Sequence, residues 1–200
     1  ILFDEPLANL DYKLREELRD ELPKLFAERN CVVVYATSEP SEALLFGGNT
    51  ATLEKGRVTQ FGPTAEGYRR PRDIVSAEVF SDPPINTQRA VKRGHTIKLE
   101  SGPQWDVDGR TVGIPDGEYI IAVRPHHVTP DSKGSHPGTI DSRVLITEIS
   151  GSESVIHFEM GDKTWVSQSH GVHRFEVGAP ARLYVDTDQI LYFKPSGELV

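Results

Sequence analysis

A break at positions 81–84, Ser81-Asp82-Pro83-Pro84, divides this 200-residue chain into two parts with different residue patterns. Before the break, apolar residues alternate between strand-like and helix-like spacing. After it, short strand-like segments follow one another, separated by glycine and proline. Paired prolines stop a helix, and a change of pattern at such a point is typical of a domain boundary. The sequence therefore predicts two domains, residues 1–84 and 85–200.

The first part has an α/β pattern. Ile1-Leu2-Phe3 is a short apolar strand end, and residues 31–36 form a continuous β-branched run. Such a run predicts a parallel strand that is covered on both faces. Between the two runs, apolar side chains recur every four residues and predict one amphipathic helix over about residues 11–29. Pro23 should kink this helix or mark its last turns.

Later segments predict a hairpin, two short helices and a β-domain. The hairpin covers about residues 50–61 and turns at Lys55-Gly56, and the helices lie near 64–70 and 72–80. Many short strands with turn residues between them indicate a small antiparallel barrel. The predicted strands are 90–93, 96–100, 119–124, 143–149, 154–160, 164–168, 181–185 and 190–193.

Charge and composition exclude several classes of function. The net charge is −8, which opposes binding to a nucleic-acid backbone. No apolar run approaches the roughly 20 residues that span a bilayer, so we expect any membrane association to occur through a partner. The single cysteine, Cys31, excludes a disulfide framework and fits a reducing cytosol. The chain begins at Ile1, inside an apparent strand, and we expect it to be a piece of a longer protein.

Two adjacent carboxylates, Asp4 and Glu5, follow the first apolar run. In P-loop ATPases, a strand of this kind brings an Asp to the magnesium of the nucleotide. A neighbouring Glu can accept the proton of the attacking water, as a general base. Taken alone, the pair can equally be a solvated strand end.

The wider segment DEPLANLD at positions 4–11 resembles the joined Walker B and D-loop segment of ABC ATPases. The resemblance implies that Asp4 binds Mg²⁺ through water, that Glu5 is the catalytic base, and that Asp11 contacts a second ATPase subunit and the nucleotide site there. Ala8 stands where a serine is more usual in the family. Asp11 also has a structural alternative, as the N-cap of the following helix.

The segment YATSEPSEAL at positions 35–44 is similar to the switch-histidine segment of the same family. Ser38 lies 38 − 5 = 33 positions after Glu5, where the family has its histidine, so the resemblance implies a catalytic position occupied by serine. Glu39 and Pro40 follow it. Ser38 can alternatively serve as a helix N-cap with proline in the first turn.

Further resemblances extend along the chain. The segment at 53–63 looks like the hairpin that closes the ATPase core, and residues 68–86 look like the linker that follows it. Residues 121–128 and 144–155 are similar to the transport-associated, OB-type barrel of maltose- and glycerol-3-phosphate-type importers. The fold class implied is a partial P-loop ATPase core followed by a small all-β regulatory barrel.

The resemblance implies the energy-coupling ATPase subunit of a bacterial ABC importer for a sugar, polyol or polyol phosphate. It implies ATP and Mg²⁺ as cofactors and a peripheral position on the cytoplasmic face of the inner membrane. Two permease subunits, a second ATPase subunit in a homodimer or heterodimer, and a periplasmic or lipid-anchored substrate-binding protein are the implied partners. The sequence contains no phosphate-binding loop, glutamine loop or LSGGQ motif, so we expect this 200-residue chain alone to be inactive.

Several alternatives remain open at this stage. A polyamine, iron or oxyanion importer shares the linker and barrel, and a module that binds a small ligand or a regulatory protein belongs to a different class. His126-His127 and the His170 and His173 pair could suggest a metal, but adjacent residues of a strand face opposite ways. Trp105 and Trp165 favour packing of the barrel over a sugar-binding platform.

Overall fold

The structure is a computed structural model that describes residues 1–28, 31–132 and 137–200. It divides into two compact units, Ile1–Arg70 and Pro71–Val200. The division falls between Arg70 and Pro71, before the predicted boundary after Pro84. The reason is that the helix over residues 74–79 packs on strands of the second unit through Ala77.

The first unit contains the predicted strand, helix, strand order. Strand β1 spans Leu2–Asp4, helix α1 spans Tyr12–Glu28, β2 spans Val34–Ala36 and α2 spans Pro40–Phe46. Strands β1 and β2 pair in parallel. Helix α1 continues through Pro23 to Glu28, so the proline lies within the helix and does not end it.

Four aromatic rings form the centre of this unit. Phe3 and Tyr35 lie directly opposite each other on β1 and β2, and their ring centroids are 6.1 Å apart. Phe26 of α1 packs on Phe3 at 5.7 Å, and Phe46 of α2 packs on Tyr35 at 4.6 Å. Successive residues of a strand face opposite ways, and Phe3 and Tyr35 are paired residues on the same face, so these contacts place both helices on one face of the small sheet.

The other face of the sheet is open, which corrects the prediction of a strand covered on both faces. Leu2 is 81% exposed, Val32 is 80% exposed and Val34 is 54% exposed. The strand is also shorter than predicted and begins at Val34. Among the described residues the sheet has two strands, and both helices that pack on it lie on the face of Phe3 and Tyr35.

The rest of the first unit is the predicted hairpin and a short helix. Strands β3 (Asn49–Glu54) and β4 (Arg57–Pro63) pair around Lys55-Gly56, whose φ angles of 49° and 75° fit a tight hairpin turn. Helix α3 follows at Thr64–Arg69. The Thr64 hydroxyl lies 2.7 Å from that of Thr50 and joins the helix to the hairpin.

The described part of the second unit contains one short α-helix, ten strands and three short 3₁₀ segments. Helix α4 spans Ile74–Val79, and its N-cap Asp73 accepts a hydrogen bond from the Ser76 N–H. The strands are β5 (Asn86–Arg93), β6 (Thr96–Leu99), β7 (Gln104–Asp106), β8 (Gly117–Val123), β9 (Val128–Thr129), β10 (Gly138–Ile149), β11 (Glu153–Met160), β12 (Lys163–His170), β13 (Pro180–Val185) and β14 (Leu191–Phe193).

These strands form two antiparallel sheets of five strands each. One has the order β12-β11-β10-β13-β9 and the other has the order β14-β8-β5-β6-β7. The long strand β10 pairs with β13 over its first half and with β11 over its second half. The Ser167 hydroxyl on β12 donates to the Val128 carbonyl on β9 at 2.6 Å. This bond joins the two end strands of the first sheet and gives it a barrel-like form.

Side chains join the two sheets of the second unit. Asn86 on β5 donates to the Val166 carbonyl and accepts from the Val166 N–H, at 2.7 and 2.6 Å. The indole N–H of Trp105 donates to the Thr139 carbonyl at 2.9 Å. Both tryptophans are buried in the main apolar core, as the sequence predicted.

All eight strands predicted for the β-domain are present, and two further strands were missed. These are β7 and β9, which have only three and two residues. Three short 3₁₀ segments, Gly109–Gly113, Pro125–His127 and Thr187–Gln189, were also not predicted. None of the helices among the described residues combines the length and the apolar character that crossing a bilayer requires.

Residues 71–200 should fold in isolation. We expect a cooperative thermal transition by circular dichroism, because the main core of the β-domain is assembled from residues of this unit. A shorter piece, residues 85–200, should unfold at a lower temperature, since it lacks Ala77, which packs beside Ala122 and Phe193. A non-cooperative spectrum for 71–200 would contradict the independence of this unit.

Candidate functional site

The ends of β1 and β2 bring the two predicted catalytic segments together. The strands are parallel, with Asp4 opposite Ala36, so both carboxyl ends lie at the same edge. The Glu5 N–H donates to the Ala36 carbonyl at 2.9 Å, which extends the pairing one residue past the strand. Ser38 follows Ala36 by two residues. Glu5 and Ser38 therefore follow neighbouring strand ends.

The turn after β1 has an unusual backbone. Glu5 has a φ of +45° and Asn9 has a φ of +61°, in the left-handed region that non-glycine residues seldom occupy. The Ala8 N–H closes the turn by donating to the Glu5 carbonyl at 3.1 Å. Strain of this kind costs on the order of 1–3 kcal/mol for each residue, and it concentrates at functional sites. The turn that follows Asp4 thus has a strained backbone at Glu5 in addition to the sequence motif.

Asp11 is the N-cap of α1. Its Oδ1 accepts a hydrogen bond from the Leu14 N–H at 3.0 Å, at the first turn of the helix. This confirms the structural alternative for Asp11. The side chain is exposed, so its predicted contact with a second subunit and a nucleotide remains a prediction.

Ser38 lies in an exposed bend over residues 37–39 and does not cap α2. The N-cap position is held by Glu39, without a side-chain capping bond, and Pro40 is the first helical residue. The N-cap alternative for Ser38 was therefore wrong by one position. The reason is that proline, which is favoured at the first helical position, fixes the residue before it as the cap.

A buried glutamate holds the 37–39 bend. Glu42 of α2 is 4% exposed, and its Oε2 accepts hydrogen bonds from the Tyr35 hydroxyl at 2.9 Å and from the Thr37 hydroxyl at 2.7 Å. Thr37 Oγ1 in turn accepts the Glu39 N–H at 3.0 Å. The Glu42 N–H donates to the Glu39 carbonyl at 3.1 Å. These bonds hold Thr37 and Glu39, the residues on either side of Ser38.

Sequence reasoning assigned no role to Glu42. A usable signal was present, because Tyr35 and Thr37 lie two residues apart and side chains at that spacing share one side of a strand. Two hydroxyls on one side, followed by an acidic residue in the next helix, form a donor and acceptor set. Glu42 is the buried side chain of α2.

Electrostatics connect this network to Glu5. Burial, followed by the hydrogen bond to Glu42 and the charge of Glu42, raises the pKa of the Tyr35 phenol above its usual value. The negative charge of Glu5 contributes in the same direction. Tyr35 therefore stays protonated and remains a hydrogen-bond donor throughout the physiological range of pH.

The carboxylates fit one part of a magnesium–nucleotide site. Asp4 is exposed and Glu5 is half-buried at the strand edge, so an oxygen ligand is available there. Mg²⁺ keeps several of its waters and uses only one or two carboxylates, which agrees with binding to Asp4 through water. Among the described residues, no group of three or more His, Cys, Asp or Glu side chains could enclose a metal ion by itself.

The histidines that suggested a metal lie in the second unit. His126 and His127 belong to the 3₁₀ segment and not to a strand, and their ring centroids are 4.3 Å apart. The argument from opposite faces applies to an extended pair, and this pair is not extended. Burial, then the charge of His126 and of Arg124, lowers the pKa of His127 to about 4. Partial desolvation, followed by the charge of Arg124, also lowers the pKa of His126, so both rings are neutral near pH 7.

The second pair, His170 and His173, has separate contacts. His173 Nε2 lies 3.1 Å from the backbone carbonyl of His170, and His170 Nδ1 lies 3.6 Å from Glu153. His170 is 91% exposed at its side chain. Each ring thus interacts with a different neighbour.

Comparisons with known proteins agree with the resemblance seen in the sequence. Residues 121–193 match the TOBE domain family. The chain is 32% identical to the xylose/arabinose import ATP-binding protein XacK of Haloferax volcanii, over 96% of this chain and 51% of that protein. It is 30% identical to the sn-glycerol-3-phosphate import ATP-binding protein UgpC of Ruegeria pomeroyi, over 98% of this chain and 52% of that protein.

A third relative is the sulfoquinovosyl glycerol transport ATP-binding protein SmoE of Agrobacterium fabrum, at 27% identity over 98% of this chain and 56% of that protein. Among solved structures, the molybdate-binding protein ModG is 16% identical, with a TM-score of 0.41 over 55% of this chain and 96% of that chain, and this likeness carries no inference. The chain spans about half the length of the curated relatives it matches. The predicted resemblance to ATP-binding subunits of carbohydrate-type ABC importers is confirmed over nearly the whole chain.

Proposed function

We propose that this chain is part of the ATP-hydrolysing subunit of an ABC importer for a sugar, polyol or polyol phosphate. The proposal rests on one observation: Asp4 and Glu5 lie at the same edge of the β1–β2 sheet as the 37–39 bend. Support for the cargo class comes from the relatives, whose names refer to xylose and arabinose, glycerol phosphate and a sulfoquinovosyl glycerol.

Each residue of the strand edge has a distinct role in this proposal. Mg²⁺, when bound with ATP, neutralises phosphate charge, and Asp4 holds it through water. Glu5 accepts a proton from the attacking water, a role suited to a half-buried carboxylate at the strand end. The 37–39 bend places residue 38 beside the same edge. Asp11 contacts the nucleotide site of a second ATPase subunit.

The assembly proposed includes two transmembrane permeases, a second ATPase subunit and a periplasmic or lipid-anchored substrate-binding protein. The subunit lies on the cytoplasmic face of the membrane and touches the permeases, not the cargo. The β-domain at 71–200, which contains the TOBE match, is proposed as its regulatory part.

The 200-residue chain should release no phosphate from ATP above background, because a carboxylate base accelerates little without a held and neutralised phosphate. The measurement is steady-state phosphate release with excess Mg²⁺. The full-length subunit, reconstituted with its permeases, should hydrolyse ATP in a cargo-dependent manner. Activity of the 200-residue chain that disappears in Glu5→Gln would contradict the prediction of inactivity, and a full-length assembly without ATPase activity would contradict the proposed function.

A further inference from the structure

The burial of Glu42 needs a reason beyond packing. Burying a carboxyl group is costly unless it is well hydrogen-bonded, and an apolar side chain of similar size would avoid that cost. Glu42 is 4% exposed and faces the Tyr35 and Thr37 hydroxyls with the same oxygen, Oε2. Both donors lie on or just after β2, so the contact joins α2 to the end of that strand.

The contacts of Glu42 form a closed ring around one residue. The Thr37 hydroxyl donates to Glu42 Oε2 and accepts from the Glu39 N–H, while the Glu42 N–H donates to the Glu39 carbonyl. Ser38 lies between the two residues that are held. The ring therefore holds the Thr37 side chain and the Glu39 backbone, on either side of Ser38, and leaves the Ser38 side chain exposed.

The ring is attached to the strand end that carries the candidate base. The Glu5 N–H donates to the Ala36 carbonyl, one residue before Thr37. A shift of the 37–39 bend would thus change the position of residue 38 relative to Glu5. Misplacement by about 1 Å at such a site can cost about 100-fold in rate.

We infer that Glu42 is a positioning residue for ATP hydrolysis: it fixes the 37–39 bend, and with it the side chain of residue 38, against the strand end that carries Glu5. The inference deepens the proposed function and rests on it. Glu42 acts through Tyr35 and Thr37 and does not touch the nucleotide.

The inference predicts that the effect of Glu42 depends on which side chain it positions. In the full-length subunit with its permeases, Glu42→Ala should lower kcat about 10-fold more in a Ser38→His background than in the native Ser38 background. The KM for ATP should change by less than about 2-fold, because the bend acts on hydrolysis and not on binding. Glu66→Gln, a substitution of an exposed glutamate on α3, is the matched control and should have no effect in either background.

Amide hydrogen exchange gives a readout that does not need activity. The Glu39 N–H should exchange about 10-fold faster in Glu42→Ala than in Glu66→Gln, because Thr37 loses the partner that orients its hydroxyl. If Glu42→Ala fails to fold, Glu42→Gln keeps the side-chain volume and one acceptor oxygen, and it should show the same pattern at smaller amplitude.

An equal fold-loss of kcat in both residue-38 backgrounds would reveal a merely structural role and overturn the inference. Unchanged exchange of the Glu39 amide would overturn it as well. Faster exchange without ATPase activity in any variant, including the native protein, would refute the proposed function while supporting control of the bend by Glu42.

Discussion

Replacing Glu5 by glutamine in the full-length subunit should lower ATP turnover by about 1,000-fold, the middle of the range for loss of a general base. Glutamine has nearly the same size and no basic oxygen. At φ +45° glutamine has the same backbone strain as glutamate. The substitution therefore tests the loss of the carboxylate without changing the conformation of the turn. ATP binding should be retained, because the lost charge acts on the attacking water.

The measurement is single-turnover hydrolysis by the subunit with its permeases, together with equilibrium binding of ATP. Glu28→Gln is the control, since Glu28 is an exposed glutamate at the end of α1. It should leave both quantities unchanged. Turnover in Glu5→Gln within about 3-fold of the native rate would exclude Glu5 as the general base.

Local sequence signals were sufficient to predict most elements of the fold. The Lys55-Gly56 turn, the apolar stripe of α1 and all eight of the predicted strands in the β-domain carry their own periodicity or turn residues. The strands that were missed, β7 and β9, have three and two residues, too few for alternation to be visible. Strand β7 pairs with its neighbour β6, whereas β9 pairs with the distant strand β13 and accepts a bond from Ser167 at the Val128 carbonyl.

The domain boundary illustrates a different limit. Pro83-Pro84 marks a real change of local pattern, but α4 lies before it and packs on Ala122 and Phe193. Tertiary contacts decide which domain a short helix packs on. A break in the periodicity of apolar residues does not reveal those contacts. The predicted boundary therefore fell too late.

The candidate site was predictable where the motif lies in consecutive residues. Asp4 ends β1, Glu5 follows it and Ser38 follows β2, and the parallel pairing of these strands brings their ends to one edge. The contacts of Glu42 required the folded structure, because its partners Tyr35 and Thr37 lie seven and five residues earlier and only the structure shows that one oxygen serves both. The strain at Glu5 was likewise invisible, since nothing in the sequence distinguishes a glutamate with positive φ.

Replacing Ser38 by histidine in the full-length subunit should raise ATP turnover by about 100-fold. The resemblance implies that a histidine at this position reaches the γ-phosphate and orients the attacking water. A serine side chain ends several bonds earlier and carries no positive charge at any pH. Loss of one positioned donor costs about 3 kcal/mol at comparable sites, which corresponds to about 100-fold in rate.

The exposure of Ser38 at the bend leaves room for the larger ring, so we expect Ser38→His to fold normally. Pro40 restricts the backbone after the bend, so we expect the backbone at residue 38 to be the same in Ser38→His as in the native chain. Ser41→His, a substitution three residues further on in α2, is the matched control and should not raise turnover. A gain that depends on residue 38 alone would place its side chain at the reacting phosphate.

The same experiment decides how the transporter is assembled. If the native Ser38 site is slow, an importer with two such sites would turn over poorly, and a heterodimer with a second, competent ATPase subunit would restore the rate. Turnover should therefore be compared for native and Ser38→His subunits, each with its permeases and with or without a candidate second ATPase subunit. Full activity of the native homodimer, with no gain from Ser38→His, would mean that water or a neighbouring side chain replaces the histidine. The hypothesis that the native Ser38 site hydrolyses ATP slowly would then be wrong.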